Sequence, residues 1–351
     1  MDQKKMMAIR TFAPGDVRVV EEDIPAPGPK EVLCKVVNVG ICGTDYNIYK
    51  GEFEYMVDFP VRPGHEWSGI VEEVGSDVNY LKKGDRVIGQ TGVACDECDD
   101  CIHGNRFNCK HTQSVGTVHA WPGAMCEYEL FKAADIMKLP DSISFEQGAM
   151  VEPAANAMMG VVNGGVHIGS TVLILGTGPI GVAAAALCKA YGAKTIISVG
   201  RSDFKLGICK QFGATHVINT NDNTNVADTV REITNGIGVD VTLEISGSLM
   251  LFDQAIKSTK VGGSIEMIAF YDKPYEMDLT DFSFRGLTLR QSGGGGWGYF
   301  DRVVALMEQG MIDLSPMITH RCKLSEAADE IVNFKKDNAE KIKVMIQVNE
   351  P

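Results

Sequence analysis

Cys95, Cys98, Cys101 and Cys109 fall in one short stretch with the spacing C-x2-C-x2-C-x7-C. Four thiolates from one loop complete a closed tetrahedral zinc site, which is how a structural zinc is held. Two disulfides or four buried thiols are the alternatives. Cysteines this closely spaced pair poorly with one another, however, and the neighbouring Asp96, Glu97, Asp99 and Asp100 make the loop too polar for a core. A second set is dispersed: Cys42 in Gly40-Ile41-Cys42-Gly43-Thr44-Asp45, His65 and Glu66 in Gly64-His65-Glu66-Trp67-Ser68-Gly69, and Glu152 in Met150-Val151-Glu152-Pro153. One thiolate, one imidazole and one or two carboxylates suit a catalytic zinc that keeps a position open for water or substrate. Singly, a cysteine reads as a small core residue and a histidine as a satisfied structural one. The glycine-bounded loops that carry both, upstream of nucleotide-binding sequence, favour metal. Two zinc ions per chain are therefore expected.

The nucleotide-binding sequence is Gly176-Thr177-Gly178-Pro179-Ile180-Gly181, a G-x-G-x-x-G run. It follows the apolar strand Thr171 to Leu175 and opens the alanine-rich helix Val182 to Tyr191, the context that makes it a dinucleotide turn. A pyrophosphate is held there by the free N–H groups and dipole of the helix N-terminus. An NAD site expects an acid at the end of the second strand, roughly 20 residues on, for the ribose 2′-hydroxyl. Gly200-Arg201-Ser202 stands there instead. Gly200 removes a carboxylate that would repel a 2′-phosphate, and Arg201 offers a planar fork to hold one, with Ser202 and Lys205 as helpers. The expectation is NADP(H) over NAD(H). Asp203, the nearest acid, is assigned to capping the next helix.

These groups need elements to position them, and the chain is long enough for about two domains. It has 351 residues, 44% of them apolar, and a net charge of −13. That acidity argues against a nucleic-acid partner, since phosphate affinity rests on clustered Lys and Arg. The start has no long apolar run before Arg10, which excludes a signal peptide there. The long uncharged stretch from Ser170 to Cys188 is interrupted by Gly176, Gly178, Pro179 and Gly181, and reads as strand, loop and helix, not as a membrane span. A cytoplasmic setting with reduced cysteines follows. Up to residue 152, short β-branched runs such as Val17 to Val20, Val32 to Val39, Gly69 to Val74 and Arg86 to Ile88 predict an irregular, barrel-like β-domain. From 153 to 293, apolar strands alternate with helix-length segments, which predicts βαβ units and a parallel sheet. The segment 294–351 carries helical spacing at Tyr299 to Gln309 and Ser325 to Lys335, then a strand at Lys343 to Val348. Gly293 to Gly296 reads as a flexible surface loop.

In combination, Gly64-His65-Glu66-x-x-Gly69-x5-Gly75-x2-Val78, the four-cysteine loop and Gly176 to Gly181 resemble the zinc-dependent medium-chain alcohol dehydrogenases over essentially the whole chain. Gly148 to Pro153, Asp240 to Gly247 and Leu314 to His320 resemble the polyol and threonine dehydrogenase branch. The resemblance implies an α/β chain with a GroES-like catalytic β-barrel domain (1–152), a Rossmann domain (153–293) and a C-terminal segment (294–351) returning to the catalytic domain. It implies that Cys42 and His65 ligate the catalytic zinc, that Glu66 and Glu152 are its carboxylates, directly or through water, and that the Thr44 hydroxyl bonds the substrate oxygen. Asn47 stands where relatives carry a histidine, so a histidine exit for the proton is missing. By the same analogy Tyr46, Asn47, Tyr49, Phe53, Trp67, Phe270, Tyr271 and Trp297 line the cleft.

The activity so implied is NADP(H)-linked interconversion of a secondary alcohol or polyol and its ketone in a homodimer or homotetramer. An NAD-linked polyol or L-threonine-type dehydrogenase is the alternative within the family. A non-catalytic zinc- and nucleotide-binding sensor is the alternative outside it.

Overall fold

The computed structural model describes residues 4–52, 54–222, 224–271, 273–336 and 338–351. The chain forms two compact units, one running through Glu152 and resuming at Asp313–Pro351, the other spanning Pro153–Ile312. The residues expected from position 294 as a returning segment thus divide: helix Phe300–Glu308 belongs to the second unit, and the return begins at Asp313. Among the described residues, no helix is long and apolar enough to cross a membrane.

The first unit is organised on strand Glu31–Ile41, whose near-continuous apolar run is buried almost throughout. A strand so covered must be central. It pairs antiparallel with Glu66–Val74, with Tyr128–Lys132 and with the late strand Lys343–Gln347. Arg86–Gly89 and Ile136–Lys138 extend the sheet on one side, and Ile318–Lys323, parallel to Lys343–Gln347, on the other. Trp67 stacks on Phe131 at 4.1 Å in its core, a pairing worth about 0.5–1.5 kcal/mol beyond burial. A small separate sheet of Gly92–Val93, Gln113–Val115 and Ala120–Trp121 flanks the four-cysteine loop in the sequence.

The second unit is a six-stranded, wholly parallel sheet in the order His216–Asn219, Thr195–Gly200, Thr171–Leu175, Val239–Glu244, Thr259–Met267, Thr288–Gln291. Its order reverses at Thr171–Leu175, which is the position where such sheets open a ligand crevice beyond their strand ends. Four residues long and mostly exposed, Thr288–Gln291 lacks the apolar run that marks the other strands, which is why the sequence does not announce it.

The glycine run after that strand is not the loose loop expected. Asn156 Oδ1 accepts the Gly294 and Gly295 N–H groups at 3.2 and 2.9 Å, tying the run to helix Val151–Asn163. A single amide oxygen two turns into a helix is invisible to any local reading of Gly293 to Gly296. Asn156→Ala removes both hydrogen bonds, a loss of about 0.5–1.5 kcal/mol for each. Hydrogen exchange should show lost protection at Gly294 and Gly295 while the strand amides of Thr171–Leu175 stay protected.

Candidate metal centres and cofactor turn

Strand pairing builds the first centre. Gly40 lies opposite Glu66, and Val344 opposite Ile41, so the ends of three strands bring Cys42, His65, Glu66 and Lys343 to one place. Cys42 is the N-cap of helix Gly43–Lys50. One ligand atom from each of Cys42, His65 and Glu66 lies within 4.8 Å of the others. Glu152, in the first turn of its helix, is buried but stands outside that group, accepting a hydrogen bond from the Thr91 hydroxyl at 3.0 Å. The Thr44 hydroxyl is 3.6 Å from the Cys42 sulfur. Gly40 has to be bare, because a Cβ there would run into the Glu66 carboxylate and touch Lys343 Cδ at 3.3 Å.

The centre gathers several buried titratable groups. Glu66 is ion-paired with Lys343, each about 1% exposed, and Lys343 Nζ also donates to the Ile41 carbonyl at 3.0 Å. Burial alone would discharge that ammonium, but Glu66, Cys42 and Glu152 hold it protonated above the usual lysine range. Burial likewise pushes the Glu152 and Asp45 carboxyls up. Burial lowers the basicity of His65, yet the neighbouring Cys42, Asp45 and Glu152 more than reverse this, leaving it well above an ordinary histidine. His65 Nδ1 and Asp45 Oδ1, 3.9 Å apart, are both buried without a hydrogen-bond partner. A divalent cation on Cys42 and His65 would take the place of a proton on the imidazole, and a small shift would let Asp45 orient the ring, the usual arrangement behind a metal-bound histidine. The donor set fits zinc.

In the second centre the sulfurs of Cys95, Cys98, Cys101 and Cys109 lie within 4.8 Å of one another, and all four are free thiols. Backbone N–H groups aim at sulfur: Cys95 N at Cys109 and Cys98 N at Cys95, both at 3.3 Å. Burial would raise the Cys109 thiol, but the N–H groups of Cys95 and His111 bring it down to about 6, which favours a thiolate. Asp96, with φ of 64°, turns the loop, and Arg106 latches it by donating to Asp96 and ion-pairing with the buried Asp135, each at 2.8 Å. This set also fits zinc, in a closed form with four sulfur ligands.

In the second unit, Gly176, Gly178, Pro179, Ile180 and Gly181 form the turn from strand Thr171–Leu175 into helix Pro179–Ala190, with Gly178 as N-cap and Pro179 in the first turn. Gly200 ends the adjacent strand Thr195–Gly200. Ser202, not Asp203, caps the following helix: its Oγ accepts the Lys205 N–H at 3.3 Å, while Asp203 takes Asn219 Nδ2 at 2.7 Å. Arg201 is exposed and Lys205 half-buried, with the Lys205 ammonium pushed down by burial and by the Arg201 charge.

Two family models match, the alcohol dehydrogenase GroES-like domain over residues 28–141 and the zinc-binding dehydrogenase domain over residues 179–309. An L-threonine 3-dehydrogenase of Pyrococcus horikoshii is 36% identical over 91% of this chain and 92% of its own. One of Marinomonas sp. is 35% identical over 87% and 89%. The crystal structure of a zinc-binding dehydrogenase from Sinorhizobium meliloti, bound to NADP, is 32% identical, with a TM-score of 0.90 over 98% of this chain and 100% of that one. A 2R,3R-butanediol dehydrogenase from Bacillus subtilis superposes with a TM-score of 0.89 at 29% identity over 98% and 100%. The chain belongs to the zinc-containing alcohol dehydrogenase family. It is an oxidoreductase with a GroES-like domain and a Rossmann domain.

Two aromatic positions of this dehydrogenase, expected by analogy to line the cleft, have other work. Trp67 is core, and the Tyr271 hydroxyl is taken up by the buried carboxylate of Glu244, which also accepts the Ser246 N–H at 2.9 Å. Tyr46 stacks on Phe334 at 5.7 Å, Phe270 is exposed, and Phe53 lies outside the described residues. Lys343, Thr91 and Asp45 belong to the centre although the sequence does not single them out. A lysine in the tail strand gives no local sign that it pairs with Glu66; only its place in a strand-like run without another charge hints at burial.

Metal analysis tests both centres. Wild type should carry about two zinc per chain, and Cys42→Ser about one, with activity lost and the fold kept. Cys98→Ser should instead lower the melting temperature sharply, since a structural site contributes folding free energy directly. Full metal content in both variants contradicts the assignments.

Proposed function

We propose that this dehydrogenase interconverts a secondary alcohol or polyol and its ketone with NADP(H), using Cys42, His65 and Glu66, with Glu152 nearby, to hold a catalytic zinc. The convergence of one thiol, one imidazole and one carboxylate within 4.8 Å carries the reading, because an incomplete protein ligand set leaves room for substrate. Cys95, Cys98, Cys101 and Cys109 hold the second, structural zinc. When bound, zinc supplies Lewis acidity toward an alcohol or carbonyl oxygen, and the nicotinamide gives or takes the hydride. The turn from Gly176 to Gly181 anchors the cofactor pyrophosphate on unpaired N–H groups at the start of helix Pro179–Ala190. Gly200, Arg201, Ser202 and Lys205 receive the 2′-phosphate.

Thr44 holds and moves the proton. Its hydroxyl, beside Cys42, would accept the proton of the substrate hydroxyl as it gives up its own, a role Asn47 cannot fill because it is no base. Lys343 keeps Glu66 in place, and Thr91 keeps Glu152. The enzyme works in the cytoplasm as a homodimer or homotetramer.

A second reading is supported by a specific observation: the curated relatives at 35% and 36% identity are named L-threonine 3-dehydrogenases. L-Threonine with NAD therefore belongs in the test. Initial rates across ketones, ketoses, cyclic ketones and L-threonine, with each cofactor in both directions, should give the highest kcat/KM with NADP(H) and a ketone or its alcohol. A dominant rate with L-threonine and NAD selects the second reading. Thr44→Val should lower kcat by about 100-fold or more, the usual contribution of a positioned proton carrier. Zinc content should stay at the wild-type level, and unchanged turnover removes Thr44 from the relay.

A further inference from the structure

Charge accounts for the absence of an acid at Gly200, but charge does not require glycine, because alanine or serine would spare a 2′-phosphate equally well. Nor does the backbone require it, since Gly200 ends a regular strand and its φ lies outside the left-handed region. What excludes a side chain is Thr177. A Cβ on Gly200 would fall 2.5 Å from Thr177 Oγ1 and 2.6 Å from Thr177 Cγ2, closer than real Cβ atoms come. Thr177 cannot readily step aside: it is 8% exposed and lies inside the dinucleotide turn, between Gly176 and Gly178.

We propose that Thr177 is a cofactor-specificity residue, filling the volume that a ribose-binding acid at position 200 would need and so committing the strand end to glycine. It acts through Gly200 and is therefore a positioning residue; the proposal rests on the NADP(H) reading above. The turn that takes the pyrophosphate and the strand end that faces the ribose are one sterically coupled unit. An acid at position 200 would displace the turn before it reached any ribose. The cationic side of the same pocket is consistent with this division. Arg201 and Lys205 are near enough for the Arg201 charge to disfavour the Lys205 ammonium, a repulsion that a phosphate would relieve.

The test is fluorescence titration of NADPH and NADH on zinc-loaded protein, with melting temperature and zinc content followed for each variant. Gly200→Ala adds volume without charge and should weaken both cofactors by roughly tenfold or more, with their affinity ratio unchanged. Thr177→Ala is the reference background for the cycle, and adding Gly200→Ala to it should change either affinity by no more than about threefold. It removes both severe contacts and leaves only Thr177 Cβ, 3.1 Å from the added methyl, so the double variant should recover most of the loss. Gly200→Asp alone should weaken both cofactors, whereas Gly200→Asp with Thr177→Ala should turn preference toward NADH. Wild-type affinities in Gly200→Ala, or a full switch to NADH in Gly200→Asp alone, overturn the proposal. Wild type preferring NADH overturns the NADP(H) reading instead, and the alanine cycle still reports whether the two side-chain positions are coupled. If Gly200→Ala fails to fold, the double variant decides: rescue supports the coupling and failure opposes it.

Discussion

The buried pair of Glu66 and Lys343 is the interaction on which the first unit's chemistry depends. Burying a carboxylate and an ammonium costs several kcal/mol per ion, and their attraction repays this only with good geometry and further hydrogen bonds. Here Lys343 has both Glu66 and the Ile41 carbonyl, across a glycine that leaves the space clear. Beside this pair stand Cys42 and His65, the thiol and imidazole that would hold zinc.

Strand register does the positioning. Cys42 follows one strand, His65 precedes its neighbour, and Lys343 opens the strand on the other side, so three remote segments meet because three strands align. A slip of one residue would turn every side chain to the opposite face. The four-cysteine loop is built differently, from local spacing, N–H groups aimed at sulfur, and the Arg106 latch onto the buried Asp135. One centre is a product of the fold. The other is nearly a property of its own loop.

That difference explains what could be read without coordinates. The four-cysteine set, the glycine turn and five of the six parallel strands are local patterns that periodicity and spacing reveal, Thr288–Gln291 being the exception. Cys42, His65 and Glu66 could be nominated from their glycine-bounded loops and from resemblance. Lys343, Asp45 and Thr91 could not, because their partners are set by register and helix packing. Trp67 reads as a cleft residue by family analogy, but alternation along the strand sends it into the core against Phe131. Asn156 and the glycine run it holds are 138 residues apart and linked by one amide oxygen. Gly200 shows the same limit in reverse: its missing side chain was legible as chemistry, whereas the steric reason lay in Thr177.

Zinc at both centres would give one chain two cation sites of unlike composition, the first with a single thiolate and the second with four. Zinc-edge X-ray absorption on the metal-replete protein reads this composition directly. Five thiolates over two ions predict an average of about 2.5 sulfur ligands per zinc, with nitrogen and oxygen making up the rest. An average near four sulfurs, meaning that only the closed loop holds metal, would contradict the account.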